Sequence, residues 1–518
     1  MFKRKNINFK YFNVSKNEIL NNASFHRKEM NSLDMEALVG YCKEKGFVFP
    51  ASDIYGGLGG FFDYGYLGTQ LKRNIVSEYW KYFVSKKENI ISQDSSIISN
   101  PTVWKASGHL DNFDDPVITT TPSKLTARAD HFIEEKLGIS ADGFDCTKLL
   151  DIIRENNLTY EGEKIDTVTK KNLMFSTVTG TSDSTQQTVY LRPETCQAIF
   201  CNAKLLANIN RLSLPFGVVQ IGKAFRNEIS PKNFIFRCRE FEQIEMEFFH
   251  NPAVACDTLT EKHREFEIEC LFATNQSSVI KMGSLLDAKL LNDYHLYWLT
   301  EMLIFLTEII RLKKNNLRIR EHHKEELSHY SSATFDIDFL YPFGDQASYK
   351  ELCGVADRGN YDITQHATYS KKNLYFLDEQ TTEKIYPYVI EPSIGLDRLF
   401  LAILANGYEY DKERDYIVMH LAPKLCPNEY AVFPLPSKKY PKEDFIGKAR
   451  QIFESMIDRG ICAVYDQSGS IGRRYARQDE IGTKWCLTVD EQTLEDNTVT
   501  IRDRDNKEQK RILVSELY

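Results

Sequence analysis

Seven residues with the makings of a binding site stand close together in residues 216–249, FGVVQIGKAFRNEISPKNFIFRCREFEQIEMEFF. They are Arg226, Glu228, Arg237, Arg239, Phe241, Gln243 and Glu245. Guanidinium forks grip phosphates or carboxylates through paired N–H donors, and a flat ring offers a stacking surface for a planar base. The set therefore suits a ligand with an aromatic base at one end and anionic phosphates at the other. The same residues also describe a solvated sheet face laced with surface ion pairs, and the stretch alone leaves both readings open.

Such side chains act together only if an element aims them the same way. Two runs with period-two alternation flank Ser230-Pro231-Lys232-Asn233, which predicts an antiparallel hairpin with a longer loop. In the second run Arg237, Arg239, Phe241, Gln243 and Glu245 share one face. Phe236, Cys238, Ile244, Met246 and Phe248 take the other, with Glu240 and Glu242 among them, so Cys238 is expected to face away from the site. Elsewhere Glu194 closes a predicted strand (188–194) just before a helix (195–208), where a carboxylate either caps the helix or anchors an ammonium. Arg398 lies about one turn into a helix that follows a strand over 386–393, a position where helix dipole and guanidinium both attract an anion. Glu351 rides on another extended run, 347–355.

Composition narrows the field. Net charge is −8 and the pI near 5.9, so no global basic field advertises nucleic-acid binding, although local, shape-specific RNA contacts remain compatible. The 11 cysteines are scattered and never spaced C-x-x-C, which argues against a zinc site or disulfide framework and for a reducing compartment. The most apolar stretch, 296–310, is interrupted by Glu301 and Glu308 and reads as a buried helix rather than a membrane span. Residues 1–29 are lysine- and asparagine-rich and read as an appendage without a fold of its own: a targeting extension, an upstream start or an expression remnant.

Along the rest of the chain, 34–47 and 67–86 are helical by spacing, and 90–99 is extended and stopped by Pro101. Trp104, His109 and Phe113 are expected in a loop, His109 as a satisfied structural histidine. Residues 138–184 are polar with one amphipathic helix and suit an inserted module. Spacing predicts helices over 254–272 and 290–312, and the basic run 313–324 is expected to be a solvated helical face, with transient RNA contact as the alternative. From about Asp415 strands and helices alternate as a compact α/β domain. Its candidates for RNA contact are Arg473, Arg474, Arg477, Asp479, Glu480, Arg502 and Arg504, against the alternative of an ordinary ion-paired surface.

Together these segments resemble the class II aminoacyl-tRNA synthetases. Phe225-Arg226-Asn227-Glu228 with Phe236-Arg237-Cys238-Arg239-Glu240-Phe241 is similar to the second class motif, and Gly395-Leu396-Asp397-Arg398 to the third. Residues 67–101 resemble the first, which lies at a dimer interface. Leu191-Arg192-Pro193-Glu194-Thr195, Phe241-Glu242-Gln243-Ile244-Glu245 and Glu391-Pro392-Ser393-Ile394-Gly395 narrow the likeness to the dimeric glycyl-tRNA synthetase family, and residues 471–482 resemble its anticodon-binding domain.

The resemblance implies an α/β (α+β) fold. An antiparallel-sheet catalytic domain would span 30–414, with inserts at about 138–184 and 250–330, and an anticodon-binding domain 415–518. It implies ATP with Mg²⁺, glycine and tRNA(Gly) as ligands, a cytoplasmic homodimer, and neither membrane nor DNA as a partner. ATP would meet Arg226, Asn227, Glu228, Phe236 to Phe241, Glu351, Leu352 and Gly395 to Arg398, with Arg226 and Arg398 catalytic and Glu351 the magnesium contact. Glycine would meet Arg128, Glu194, Phe241 to Glu245 and Glu391 to Gly395. Glu245 and Ser393 would exclude a methyl group beside the α-carbon. Ala127, where a cysteine is usual, Gly359-Asn360 in place of a more polar pair, and Ala476 within a basic run depart from the pattern.

Overall fold

The computed structural model describes residues 33–139, 141, 143–324, 327, 331–344, 347–378 and 382–517; the appendage expected over residues 1–29 lies outside them. The first helix, α1 (Met35–Lys45), starts at Asp34, whose side chain accepts from the Glu36 N–H. It stops at Gly46, whose φ of 74° is the left-handed cap that glycine adopts without a Cβ penalty. Helix α2 (Tyr66–Tyr79) runs into the strand β1 (Ile90–Gln93). The segment from Pro101 to Asn112 is not a loop: Asn100 caps a helix with Pro101 in its first turn, and a short second helix, His109–Asn112, follows.

A four-stranded sheet comes next, in the order 126–128, 114–121, 163–172, 159–160, with the helix Cys146–Glu155 packed through Leu149 and Ile153. Strand Glu163–Asn172 pairs along the whole of Asp114–Thr121. The inserted module therefore begins near Asp114, and 138–184 is not a unit by itself.

The chain then enters the main sheet. Helix α3 (Gln197–Asn210) precedes the hairpin β2 (Phe216–Phe225) and β3 (Glu240–His250). Strands β4 (Glu267–Leu271) and β5 (Ser277–Lys281) follow, then helix α4 (Asp293–Ile304). Strands β6 (Leu317–Glu321), β7 (Ala333–Tyr341), β8 (Ser348–Gly359) and β9 (Tyr388–Gly395) lead into helix α5 (Leu396–Gly407).

Among the described residues these form one nine-stranded sheet, ordered β5-β4-β6-β7-β8-β9-β3-β2-β1, antiparallel except where β1 meets β2 and β4 meets β6. Three expectations change here. Residues 254–272 hold only the short helix Glu261–Arg264 and then β4, whose Ile268 and Cys270 alternate inward. The basic run contains a strand, β6, with Arg318 and Arg320 paired to Asp338 and Asp336 of β7. Residues 250–330 extend the main sheet rather than forming a separate insert.

The pleat gives the sheet two different faces. Ile244, Met246 and Phe248 of β3 point to one side, where α2, α4 and α5 cover them in the largest apolar cluster. Gln243, Glu245 and Glu247 point to the other, towards α3. Among the described residues no helix is long and apolar enough to cross a membrane.

The C-terminal sheet is ordered 463–465, 430–434, 485–489, 498–503, 509–513, with the helices Lys442–Asp458 and Ile471–Ile481 on opposite faces. Most of its candidate RNA contacts turn out to be internal. Asp479, fully buried, accepts from both Nη of Arg502, from Arg414 and from Tyr416 Oη. Arg504 donates to the Gly482 and Leu421 carbonyls, and Arg474 to those of Pro434 and Gly469. Glu480 pairs with Lys45 and its carbonyl takes the Tyr41 hydroxyl, seating the domain on α1. Only Arg473 and Arg477 of the set are exposed, and Arg477 holds Asp466.

Candidate active site

The site is assembled by register. Across three adjacent strands Glu245 lies opposite Ser393, Gln243 opposite Gly395, Gly354 opposite Ser393 and Ala356 opposite Glu391. Their side chains share the sheet face away from the main core and floor a cavity of about 270 Å³. Glu194, Arg226, Glu228, Phe236, Arg237, Phe241, Glu351 and Arg398 wall it.

At one end the walls are cationic and aromatic. Arg226 donates through Nε to the Pro193 carbonyl at 3.0 Å, and its guanidinium lies 5.4 Å from both the Phe241 and the Phe113 rings. Arg237 donates to Glu228 at 2.8 Å. Arg398, in the first turn of α5, sits 4.5 Å over the Phe236 ring and 3.0 Å from the Glu351 carboxylate. That neighbour holds the half-exposed Glu351 carboxyl below its usual range.

At the other end carboxylates dominate. Glu245, 2% exposed, accepts from the Thr195 N–H and Oγ1 (2.8 and 2.6 Å), from Gln243 Nε2 (2.8 Å) and from Ser393 Oγ (3.1 Å). Glu194 does not cap a backbone. Its Oε1 meets Cys196 Sγ and Gln197 Nε2 at 3.0 Å and His109 Nε2 at 3.3 Å. Burial pushes Glu194 up, but His109 and Arg358 outweigh it and hold the carboxyl well below its usual range. Glu391 takes Arg358 Nη1 at 2.7 Å, yet burial still pushes it up to about 8. Glu247, fully buried with no hydrogen-bond partner on either oxygen, is held well above its usual range by burial and by Glu391. A small dry hollow rimmed by acids needs a cation.

Several sequence-assigned residues lie elsewhere. Ile244, Leu352, Pro392 and Ile394 are buried away from the cavity by strand alternation, and Leu396 is buried at the start of α5. Glu240 pairs with Lys223, Arg239 braces the Gly59 and Glu228 carbonyls, and Asn227 bonds through its backbone to Leu173. Glu242 and Asp397 touch the cavity but are held by Lys72, with Tyr64 also on Asp397. Arg128 belongs to the inserted sheet, paired with Asp115 and Asp130. Cys238 and Phe236 do line the cavity, because a 3₁₀ turn at Phe234–Phe236 interrupts the alternation before β3 begins. Sequence reasoning missed Thr334 and Asp336, whose only signal was the alternation of 333–341, and the buried Arg358, and it left His322 in the basic run 313–324 without placing it at the site.

Fold and site together define a class II aminoacyl-tRNA synthetase. The family model for the tRNA synthetase class II core domain (G, H, P, S and T) matches residues 177–407, and that for the anticodon binding domain matches 429–518. A prolyl-tRNA synthetase of Giardia lamblia, solved with prolyl-adenylate, shares the fold at a TM-score of 0.56 and 13% identity, over 93% of this chain and 76% of that one. The glycine–tRNA ligase of Mycoplasmopsis synoviae is 42% identical over 492 residues, 93% of this chain and 98% of the relative. That of Malacoplasma penetrans is 43% identical over 492 residues, 94% and 96% of the two chains. The chain belongs to the glycine–tRNA ligases, ATP-dependent enzymes that activate glycine and transfer it to tRNA(Gly).

Proposed function

We propose that ATP and glycine lie side by side in this cavity, ATP at its cationic end and glycine at its acidic end. Adenine stacks on Phe241 with Glu228 receiving its amino group and Arg237 alongside. Arg226 bridges the α-phosphate and the glycine carboxylate, and Arg398 holds the far phosphates. Glu194 and Glu391 face the ammonium, while Glu245 and Ser393 occupy the space beside the α-carbon. The glycine carboxylate oxygen attacks the α-phosphorus in line, and the bond to the β-phosphate oxygen breaks, releasing pyrophosphate. The 3′-terminal ribose hydroxyl of tRNA(Gly) then attacks the adenylate carbonyl and AMP departs. Among the described residues lining the cavity, Ser393 donates its hydroxyl to Glu245 and His322 is held by Asp336, so no serine–histidine pair is assembled there and positioning and electrostatics carry the rate.

The carboxylate oxygens of Glu351 and Asp336, both on the cavity wall, suit a magnesium ion arriving with the phosphates, where it would neutralise their charge. A homodimer is supported by Ile54, Tyr55, Leu58 and Tyr66, which are 87, 86, 60 and 67% exposed in one short stretch. Eleven unpaired cysteines support a reducing, cytoplasmic setting. Arg473 is the residue through which the C-terminal domain best meets RNA. The partner set holds neither DNA nor a membrane.

The observation that carries this reading is the Glu245–Ser393 wall, clamped by hydrogen bonds across β3 and β9 beside a cation-seeking pocket. ATP–pyrophosphate exchange with glycine, alanine and serine side by side tests it. Exchange is expected with glycine alone; comparable exchange with alanine would overturn it.

A further inference from the structure

We infer that His109 is a positioning residue for glycine binding: it fixes Glu194 in the orientation that presents Oε2 to the substrate ammonium. The inference rests on the reading of Glu194 as the ammonium anchor.

His109 opens a short helix, His109–Asn112, and is 8% exposed. Trp104 meets its ring edge-on with centroids 5.6 Å apart, and Phe113 packs at 5.3 Å. Ser107 Oγ lies 2.8 Å from Nδ1. With the ring clamped on that side, Nε2 is aimed at Glu194 Oε1, 3.3 Å away. A neutral ring protonated on Nδ1 would set the Nε2 lone pair against a carboxylate, so the arrangement selects an Nε2–H donor whether the ring is neutral or charged.

The other two donors on Oε1, Cys196 and Gln197, follow Glu194 within the same turn. Among the donors to this carboxylate, His109 alone comes from a distant part of the chain. It is therefore the donor that fixes how the Glu194 carboxylate is turned on a backbone that Thr195 already ties to Glu245. All three donors meet one oxygen, which leaves Oε2 for a cation. The histidine is itself tied down from outside the core: its carbonyl accepts from Asn172 Nδ2 at 3.0 Å, at the end of the long strand of the inserted sheet. The next aromatic, Phe113, lies 5.4 Å from the Arg226 guanidinium. One short helix and the residue that ends it thus touch both the ammonium anchor and the arginine at the reacting end.

The test is glycine-dependent ATP–pyrophosphate exchange with His109→Ala, His109→Gln and His109→Asn. Gln places an N–H where Nε2 stood, whereas Asn reaches only the Nδ1 position. A hydrogen bond to a charged group predicts a rise in KM for glycine of about 10- to 100-fold in His109→Ala and His109→Asn. KM for ATP should stay within about twofold, with most of the glycine KM regained in His109→Gln. If His109→Ala fails to fold, the two polar variants carry the comparison. A fall in kcat with both KM values unchanged, or equal effects from Asn and Gln, would overturn the assignment. Glu194→Gln is measured in parallel. If it leaves KM for glycine unchanged, the anchor reading itself fails; if it raises that KM while His109→Ala does not, only the positioning role fails.

Discussion

Arg226→Lys isolates what the guanidinium contributes beyond its charge. Lysine keeps the cation but loses the Nε bond to the Pro193 carbonyl, a contribution of about 1 kcal/mol. It also loses the planar fit between Phe113 and Phe241, whose rings lie 5.4 Å on either side, at about 0.5–1 kcal/mol for each contact. Finally it loses one arm of a two-pronged grip on phosphate and carboxylate, about 1.5–3 kcal/mol for a charge-assisted bond. Part of the ring contact survives with an ammonium, so a total near 4 kcal/mol is reasonable, about a thousandfold in rate. Phe241 and Arg398 still hold ATP, so the loss should fall on kcat for pyrophosphate exchange far more than on KM for ATP. A melting temperature unchanged within about 3 °C would show that the fold is intact. An Arg226→Lys enzyme within tenfold of the parent in kcat/KM would refute the assignment of a forked contact to the reacting centre.

Three further outcomes follow from the buried charges. Glu391 is pushed up to about 8 by burial and Glu247 is raised alongside it, so the empty pocket holds protons that the glycine ammonium must displace; KM for glycine should fall as pH rises from 6 to 8 and then level, and a flat profile would count against the acidic end as the glycine site. For stability the sign runs the same way: a carboxyl raised in the folded state contributes fully below its unfolded value of 4.5 and loses that contribution as pH climbs through about 8, so the melting temperature without glycine should decline over that window and decline less at saturating glycine. Asp479→Asn leaves Arg502 and Arg414 sharing a dry joint without their counter-charge, at a cost of about 3–5 kcal/mol. Denaturant unfolding should show that loss while glycine activation persists and tRNA charging falls; unchanged stability would mean that Asp479 does not hold the joint.

What could be read from the sequence was whatever is encoded locally. The β2–β3 hairpin was legible because alternation writes the sheet face directly into residues 240–250, and α5 because β9 runs straight into its first turn. The reading failed where partners are distant. Strand β4 alternates over only five residues, too few to set against a helical spacing, and although its hairpin partner β5 is close in sequence, its place in the main sheet comes from Cys270 and Leu271 pairing with Ile319 and Arg320 much later in the chain. The arginines of the C-terminal domain read equally as RNA contacts or as an ion-paired surface, because nothing local to Arg502 reveals that Asp479 is folded against it. Alternation carried backwards from β3 puts Phe236 and Cys238 on the wrong face, because a 3₁₀ turn resets it.

The same contrast between local and distant contacts bears on how a pocket can select the smallest amino acid. Glycine offers no side chain to hold, so discrimination against alanine must come from a wall that does not yield. A methyl group misplaced in a soft apolar pocket costs only about 1–3 kcal/mol, and a flexible side chain would move aside for less. Glu245 is neither soft nor free. Its two oxygens are held by four donors drawn from the turn before α3, from β3 and from β9. Retreat by the width of a methyl group would stretch or break several charge-assisted bonds at about 1.5–3 kcal/mol each, inside a region where water cannot replace them. The penalty for admitting alanine is then set by the hydrogen-bond network behind the wall rather than by the methyl group itself. On that account Thr195 and Gln243, which need not touch glycine, belong to the specificity of the site as much as Glu245 does.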